Sequence, residues 1–264
     1  MLTLPNPARR VTAIALAIAV VAGAAIAGTG AAAAPAGVVG PQLAVDANTA
    51  GRSAAAQNLT PAGSKLFLFT NGTDDRGLWV IDSDGTATRL VDLGEVSTPN
   101  IIAMPGVDGV VVFTKRTPET GVELWRSDGT VGGTRLVRDI RVGTAPSTPD
   151  NFTQYRGEVY FTAEQVGTGV ELWKTDGNGA WLVADLEPGP ASSRPSQLRS
   201  VWHDTYDERL WMVAQSGGIA DRLVVYNGNE HETTDVVVGV RPTDFVDVKG
   251  TVYATAHTTS DSSD

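Results

Sequence analysis

The chain has 264 residues, no cysteine, three histidines and a net charge of −10. Disulfides, thiolate nucleophiles and cysteine-based metal centres are therefore excluded. The acidic balance, with no cluster of Lys and Arg anywhere, argues against nucleic acid as a partner, because phosphate binding draws on grouped cations.

The N-terminus reads as a targeting segment. Arg9 and Arg10 precede an uncharged, largely apolar run from Val11 to Ala27, and Ala25-Ile26-Ala27 satisfies the small-x-small rule for cleavage before Gly28. Residues 1–27 are expected to be a secretory signal peptide, with a second cleavage option at Ala31–Ala33. An uncleaved anchor is the competing reading and the expected route to a membrane, but this Ala-rich run is marginal for spanning a bilayer. The mature chain is thus expected outside the cytoplasm, secreted or at the cell surface. Residues 28–40 are Ala/Gly-rich and predict a disordered linker; residues 41–264 form the remaining domain.

That domain repeats itself. "KLFLFTN", "RGLWVIDSDGT" and "TRLVDL" follow one another from Lys65 to Leu93. The same succession returns as "GVVVFTK", "GVELWRSDGT" and "TRLVRDI", then as "EVYFTAE", "GVELWKTDGN" and "AWLVADL". Trp79, Trp125 and Trp173 are 46 and 48 residues apart, and a weaker fourth copy places Val224 where the Trp would be. Ser/Pro segments ("STPN", "STPDN", "RPSQ", "RPTD") precede a short apolar stretch at the head of successive units. The unit therefore predicts four strands: the stretch after Ser/Pro, the "YFTA" strand, the ELW strand and the "TRLV" strand.

Asp84-Gly85, Asp128-Gly129 and Asp176-Gly177 lie between the third and fourth strands. Asp-Gly tolerates positive φ and turns a tight hairpin. A four-stranded unit of this size cannot bury both faces alone, so copies are expected to stack. A radial array of such sheets is a β-propeller. The Trp is expected to be the flat filler between neighbouring blades, burying on the order of 200 Å². The fold class is thus all-β, a propeller of four-stranded antiparallel blades, with about four full repeats and a partial one. After "RPTDFVDVKGTVYATAH" the chain ends without another ELW strand. Either it is a piece of a longer propeller, or a ring closes with an incomplete blade to which N-terminal "QLAVD" adds a strand.

"GVELWRSDGTVGGTRLVRDIRVGTAPS" (Gly121–Ser147) resembles the ELWxxDGT repeat proteins, a bacterial secreted group, across almost a whole unit. Copy one carries Gly77 in place of the Glu, copy three has Asn178 in place of the Thr, and copy four has lost the Trp. The resemblance covers roughly residues 43–258 and implies a propeller-like extracellular domain. It brings little chemistry with it.

Site chemistry is sparse. His203, His231 and His257 form no ligand-spaced pair, and there is no G-x-S-x-G and no phosphate loop. Glu123 and Glu171 are acids a glycoside-cleaving enzyme would draw on, but their matching places in successive units point to service within the blade. Calcium at Asp82 and Asp84 is a weaker reading, because the other turns hold one Asp each and an Asx side chain serves all copies equally. The Asn-x-Ser/Thr triplets at Asn58, Asn71 and Asn151 are expected to be incidental.

The loops joining strands two and three differ most between copies. They direct attention to Asp74, Asp75, Arg76, Lys115, Arg116 and Glu119 as a ligand face, since loops carry binding. The first expectation is a non-enzymatic binding or surface-interaction module for an extracellular glycan or protein, without cofactor. The second is a polysaccharide-degrading enzyme or its accessory propeller, for which Trp181, Trp202 and Trp211 are the off-register aromatics to inspect. The third is a structural array within a larger surface protein.

Overall fold

The computed structural model describes residues 56–71, 76–96, 99–202, 207–216, 220–228, 233–237, 240–249 and 251–258, with the short pairs 17–18 and 42–43. Every regular element among them is a strand. No helix among the described residues is long and apolar enough to cross a membrane.

Four antiparallel sheets follow one another, each a four-stranded meander in sequence order. The first comprises Ala56–Ala62, Lys65–Asn71, Arg76–Ile81 and Ala87–Asp92. The second comprises Ile101–Ala103, Val111–Thr117, Gly121–Ser127 and Arg135–Arg138. The third comprises Asp150–Tyr155, Glu158–Gln165, Gly169–Thr175 and Ala180–Ala184. The fourth comprises Ser196–Trp202, Glu208–Ser216, Ala220–Tyr226 and Thr233–Val237. Val240–Val248 and Thr251–Thr258 form a two-stranded fifth sheet. The leading strands neighbour one another in succession, Ala56–Ala62 against Ile101–Ala103, that against Asp150–Tyr155, and that against Ser196–Trp202. Sheets so arranged about their leading strands are the blades of a β-propeller.

Period-2 alternation explains how each blade feeds two cores. Leu68 pairs with Trp79, Phe113 with Trp125, Phe161 with Trp173 and Met212 with Val224, so the marker position keeps one register throughout. Trp125 packs with Phe113 on the first blade's Phe67, Phe69 and Leu78. Trp173 and Phe161 pack on the second blade's Val112 and Leu124. Val224 and Met212 pack on the third blade's Tyr160 and Leu172. In these three blades the marker faces the preceding one. Intervening residues face the following one, as Val213 and Leu223 do against Phe245 of the fifth sheet. Trp173 is 1% exposed, whereas Trp125 and Trp79 are half-buried.

Gly85, Gly129 and Gly177 all have φ of 85°. The preceding Asp does not take positive φ; the turn at Asp82 is closed by Gly85 N–H to its carbonyl at 2.9 Å, with glycine alone in the left-handed region. One expectation needs correcting. Gln42–Leu43, within "QLAVD", pairs with Ala17–Ile18 rather than completing the fifth sheet. The rest of the expected signal segment and linker lies outside the described residues.

Candidate ligand face

The GVELW strand contains the logic of the repeat. Gly121 and Gly169 open it at φ of 70° and 73°, where the linker to the next blade passes directly overhead. A Cβ at Gly169 would lie 2.3 Å from the Ala191 carbonyl oxygen, and one at Gly121 2.8 Å from Thr144 O. Val122 O then accepts the N–H of Ser147 at 3.1 Å, and Val170 O that of Arg194 at 3.0 Å, binding linker to strand. Gly169→Ala is expected to cost about 2–5 kcal/mol, about 1–2 from left-handed backbone and the remainder from displacing the linker. Gly106, with φ of 72° and open space within 4 Å of where a Cβ would stand, is the control. Urea midpoints of the two alanine variants separate the contributions, and equal losses would refute the linker contact.

The glutamate closes the same linker. Glu123 is fully buried, and its carboxylate accepts Ile140 N–H (2.9 Å), Ser147 N–H (2.9 Å) and the Ser147 hydroxyl (2.5 Å). Glu171 repeats this with Leu186 N–H (3.0 Å), Ser193 N–H (2.7 Å) and the Ser193 hydroxyl (2.5 Å). Burial raises both carboxyls above the ordinary glutamate value; their donors pull the other way, and Asp139 or Asp185 nearby adds to the rise. Both carboxylates are fully buried and every oxygen already accepts at least one bond from the linker, so both serve the blade. In the first blade Gly77 takes this place, and a Cβ there would meet the Arg89 Nε at 2.8 Å.

A second set of side chains joins the leading strands. Asn58 Nδ2 donates to Pro99 O (2.8 Å), Asn100 Nδ2 to Pro149 O (3.5 Å) and Asn151 Nδ2 to Pro195 O (3.5 Å). Asn58, Asn151 and Gln197 have positive φ at a register shift in their strands, a bulge that re-aims the side chain. Sequence reasoning misses this set. At Asn100 and Asn151 its signal is an amide just after a Ser/Pro segment, and at Asn58 and Asn151 a glycosylation triplet overlies it.

The turn aspartates act on their own loops. Asp84 Oδ1 accepts Thr86 N–H at 2.8 Å, Asp128 Oδ1 accepts Thr130 N–H at 2.9 Å, and Asp176 Oδ1 accepts Asn178 N–H at 2.7 Å. The Thr86 amide holds the Asp84 carboxyl low, as the Thr130 hydroxyl does for Asp128. The departure at Asn178 has a purpose: its Oδ1 accepts Arg126 Nη1 (2.5 Å) and Arg135 Nη2 (3.1 Å) from the second blade.

The second-to-third-strand turns that end at Gly121 and Gly169 lie against the linkers, at one end of the array. There a cavity of about 240 Å³ opens between the first two linkers. Val96, Val122 and Pro149 supply apolar wall, while Glu95, Arg116 and Asp150 bring charge. Arg116 and Glu95 are exposed, and neither side chain has a hydrogen-bond or ion-pair partner among the described residues. Asp150 Oδ1 accepts Asn100 Nδ2 at 3.1 Å and Asn151 N–H at 2.7 Å.

The other expected face residues distribute unevenly. Lys115 and Arg116 lie near the end of the strand Val111–Thr117 and Arg76 begins one, rather than lying in loops. Lys115 is turned away onto the Trp125 ring, its Nζ 4.6 Å from the centroid, and burial lowers its pKa against the opposing pull of Asp92 and Glu119. Glu119 is exposed in the turn. Asp74 and Asp75 lie outside the described residues. Asp82 contributes backbone groups to its turn, accepting Gly85 N–H and donating to Thr86 O. Of the off-register aromatics, Trp181 (44%) and Trp202 (56%) are exposed, while Trp211 packs against Phe245 with centroids 6.4 Å apart. No group of three or more His, Cys, Asp and Glu is placed to hold a metal ion among the described residues.

No protein-family model matches the chain, and no curated protein matches it. Solved structures resemble it in fold. A nidogen/laminin complex aligns at 14% identity and TM-score 0.44, over 77% of this chain and 72% of that one. Puromycin hydrolase aligns at 14% and 0.47, over 80% of this chain and 36% of that one. TolB from Acinetobacter baumannii aligns at 14% and 0.44, over 78% of this chain and 48% of that one. In the latter two the chain spans less than half of the neighbour's length.

Proposed function

We propose that this chain is a secreted, non-enzymatic propeller of the ELWxxDGT repeat type that binds an extracellular ligand on the face carrying the linkers and the second-to-third-strand turns. The cavity beside Arg116 carries the reading. It lies on that face, and over an apolar wall it contains a cation and an anion that are both unpaired among the described residues. A binding pocket is built in this way, apolar lining with a few polar groups that fix orientation. Glu123 and Glu171, the repeat carboxylates a hydrolase would draw on, are spent on linkers.

The reading is tested by screening the chain against a glycan array and a panel of small extracellular metabolites, alongside reducing-sugar release from mixed polysaccharides. Saturable binding that Arg116→Ala weakens at least tenfold, without sugar release, is the expected result. Sugar release would establish the hydrolase instead. Silence in all three assays would leave the structural array as the function.

A further inference from the structure

The cavity's charge pattern points to a ligand class, and this step rests on the reading of the cavity as a binding site. We infer that it takes a free α-amino acid, with the carboxylate on Arg116 and the ammonium group on Glu95 and Asp150.

Size comes first. The volume, about 240 Å³, falls below the roughly 300–1,000 Å³ of pockets for drug-sized ligands. It suits one small molecule rather than an oligomer. Chemistry narrows the class. Arg116 presents a planar fork of donors that matches a carboxylate bidentately. Within the protein it has no acceptor among the described residues, and Glu95 has no donor. A ligand with one charge would satisfy one of them and leave the other facing it. A zwitterion satisfies both. Asp150 has one carboxylate oxygen engaged by Asn100 and Asn151, and adds a second anion to the same wall. Two acids against one guanidinium favour a basic side chain over an acidic one, as does the net charge of −10. Val96, Val122 and Pro149 give the aliphatic part of the side chain an apolar surface. Among the described residues the lining includes no aromatic ring on which a sugar face would stack.

Isothermal titration with arginine, leucine, glutamate, an N-acetylated arginine amide and methyl α-glycosides tests the inference. Arginine and leucine are expected to bind saturably, arginine the tighter. Blocking both termini is expected to weaken binding at least tenfold, and Arg116→Ala and Glu95→Gln each to weaken the free amino acid at least tenfold. Both side chains are exposed and have no internal partner among the described residues, so an unchanged melting transition confirms that the variants fold. Equal binding by the blocked amide, affinity within twofold of wild type in either variant, or no binding by any amino acid overturns the inference. An Arg116-dependent glycoside would overturn it while leaving the binding-module reading intact. Failure of every ligand would remove the support of both.

Discussion

Glu171→Ala is expected to lower the unfolding free energy by about 3–6 kcal/mol, because two buried donors and one partly buried donor lose their acceptor, and each buried group so orphaned costs about 1–3 kcal/mol. Against a typical total of about 5–15 kcal/mol, that removes much of the native margin. The donors are Leu186 N–H, Ser193 N–H and the Ser193 hydroxyl. Ser193→Ala removes one of them and leaves the carboxylate its two amides, so it is expected to cost about 1 kcal/mol. Urea unfolding followed by near-ultraviolet dichroism measures both, and equal losses would show that the glutamate does not gather the linker. Acidity supplies an independent readout. Burial raises the Glu171 carboxyl above the usual 4.5, so the folded chain holds that proton more tightly than the unfolded one does. Its contribution to stability is therefore greatest below 4.5 and declines as pH climbs through the raised folded value. Glu171→Gln has no such titration. The variant's stability is expected to fall less than the wild type's across that window, even though its amide must set an N–H against one of the donors.

Trp173→Ala is expected to cost about 3–5 kcal/mol, the usual loss for emptying a large aromatic from a core. The ring is 1% exposed between Val112 and Leu124 of one blade and Phe161 of its own, with the Arg138 guanidinium 5.4 Å from its centroid. Its indole nitrogen has no acceptor among the described residues, so Trp173→Phe forfeits area but no hydrogen bond and is expected to lose about 1–2 kcal/mol. Trp79 occupies the same register but is half-buried, its Nε1 donating to Thr70 Oγ1 at 3.2 Å. Its alanine variant is expected to lose less than that of Trp173. Parity between the two, measured by urea midpoint, would show that the indole does not act as filler between blades.

Much of the fold is legible in the chain because it is local. Alternation over seven residues such as Gly169–Thr175 announces a strand with two working faces, and a repeat shows which face the marker takes. The Asp-Gly turns are equally plain, since an Asx side chain reaches only two residues along its own backbone. The Glu–Ser closure is not legible. Its partners are 24 residues apart in one copy and 22 in the next, and nothing in either residue type distinguishes a linker clasp from a catalytic acid. Contact across the blade decides that. The face residues show the same boundary between local and distant causes. Lys115 and Arg116 are neighbours of like charge, yet strand pleating sends one onto Trp125 and leaves the other at the cavity. The fourth copy shows how tolerant the packing is. Val224 fills the indole's place because Tyr155, Tyr160 and Tyr226 cluster there, with centroids 5.1–6.1 Å apart.

The first unit, which carries Gly77 at the glutamate position, also bounds the cavity. Gly77 cannot clasp the first linker as Glu123 and Glu171 clasp the second and third, and that unclasped stretch contributes Glu95 and Val96 to the wall. Equivalent modules built alike would offer equivalent surfaces. With Gly77 where the second and third units place a carboxylate, the first linker offers a corner unlike theirs.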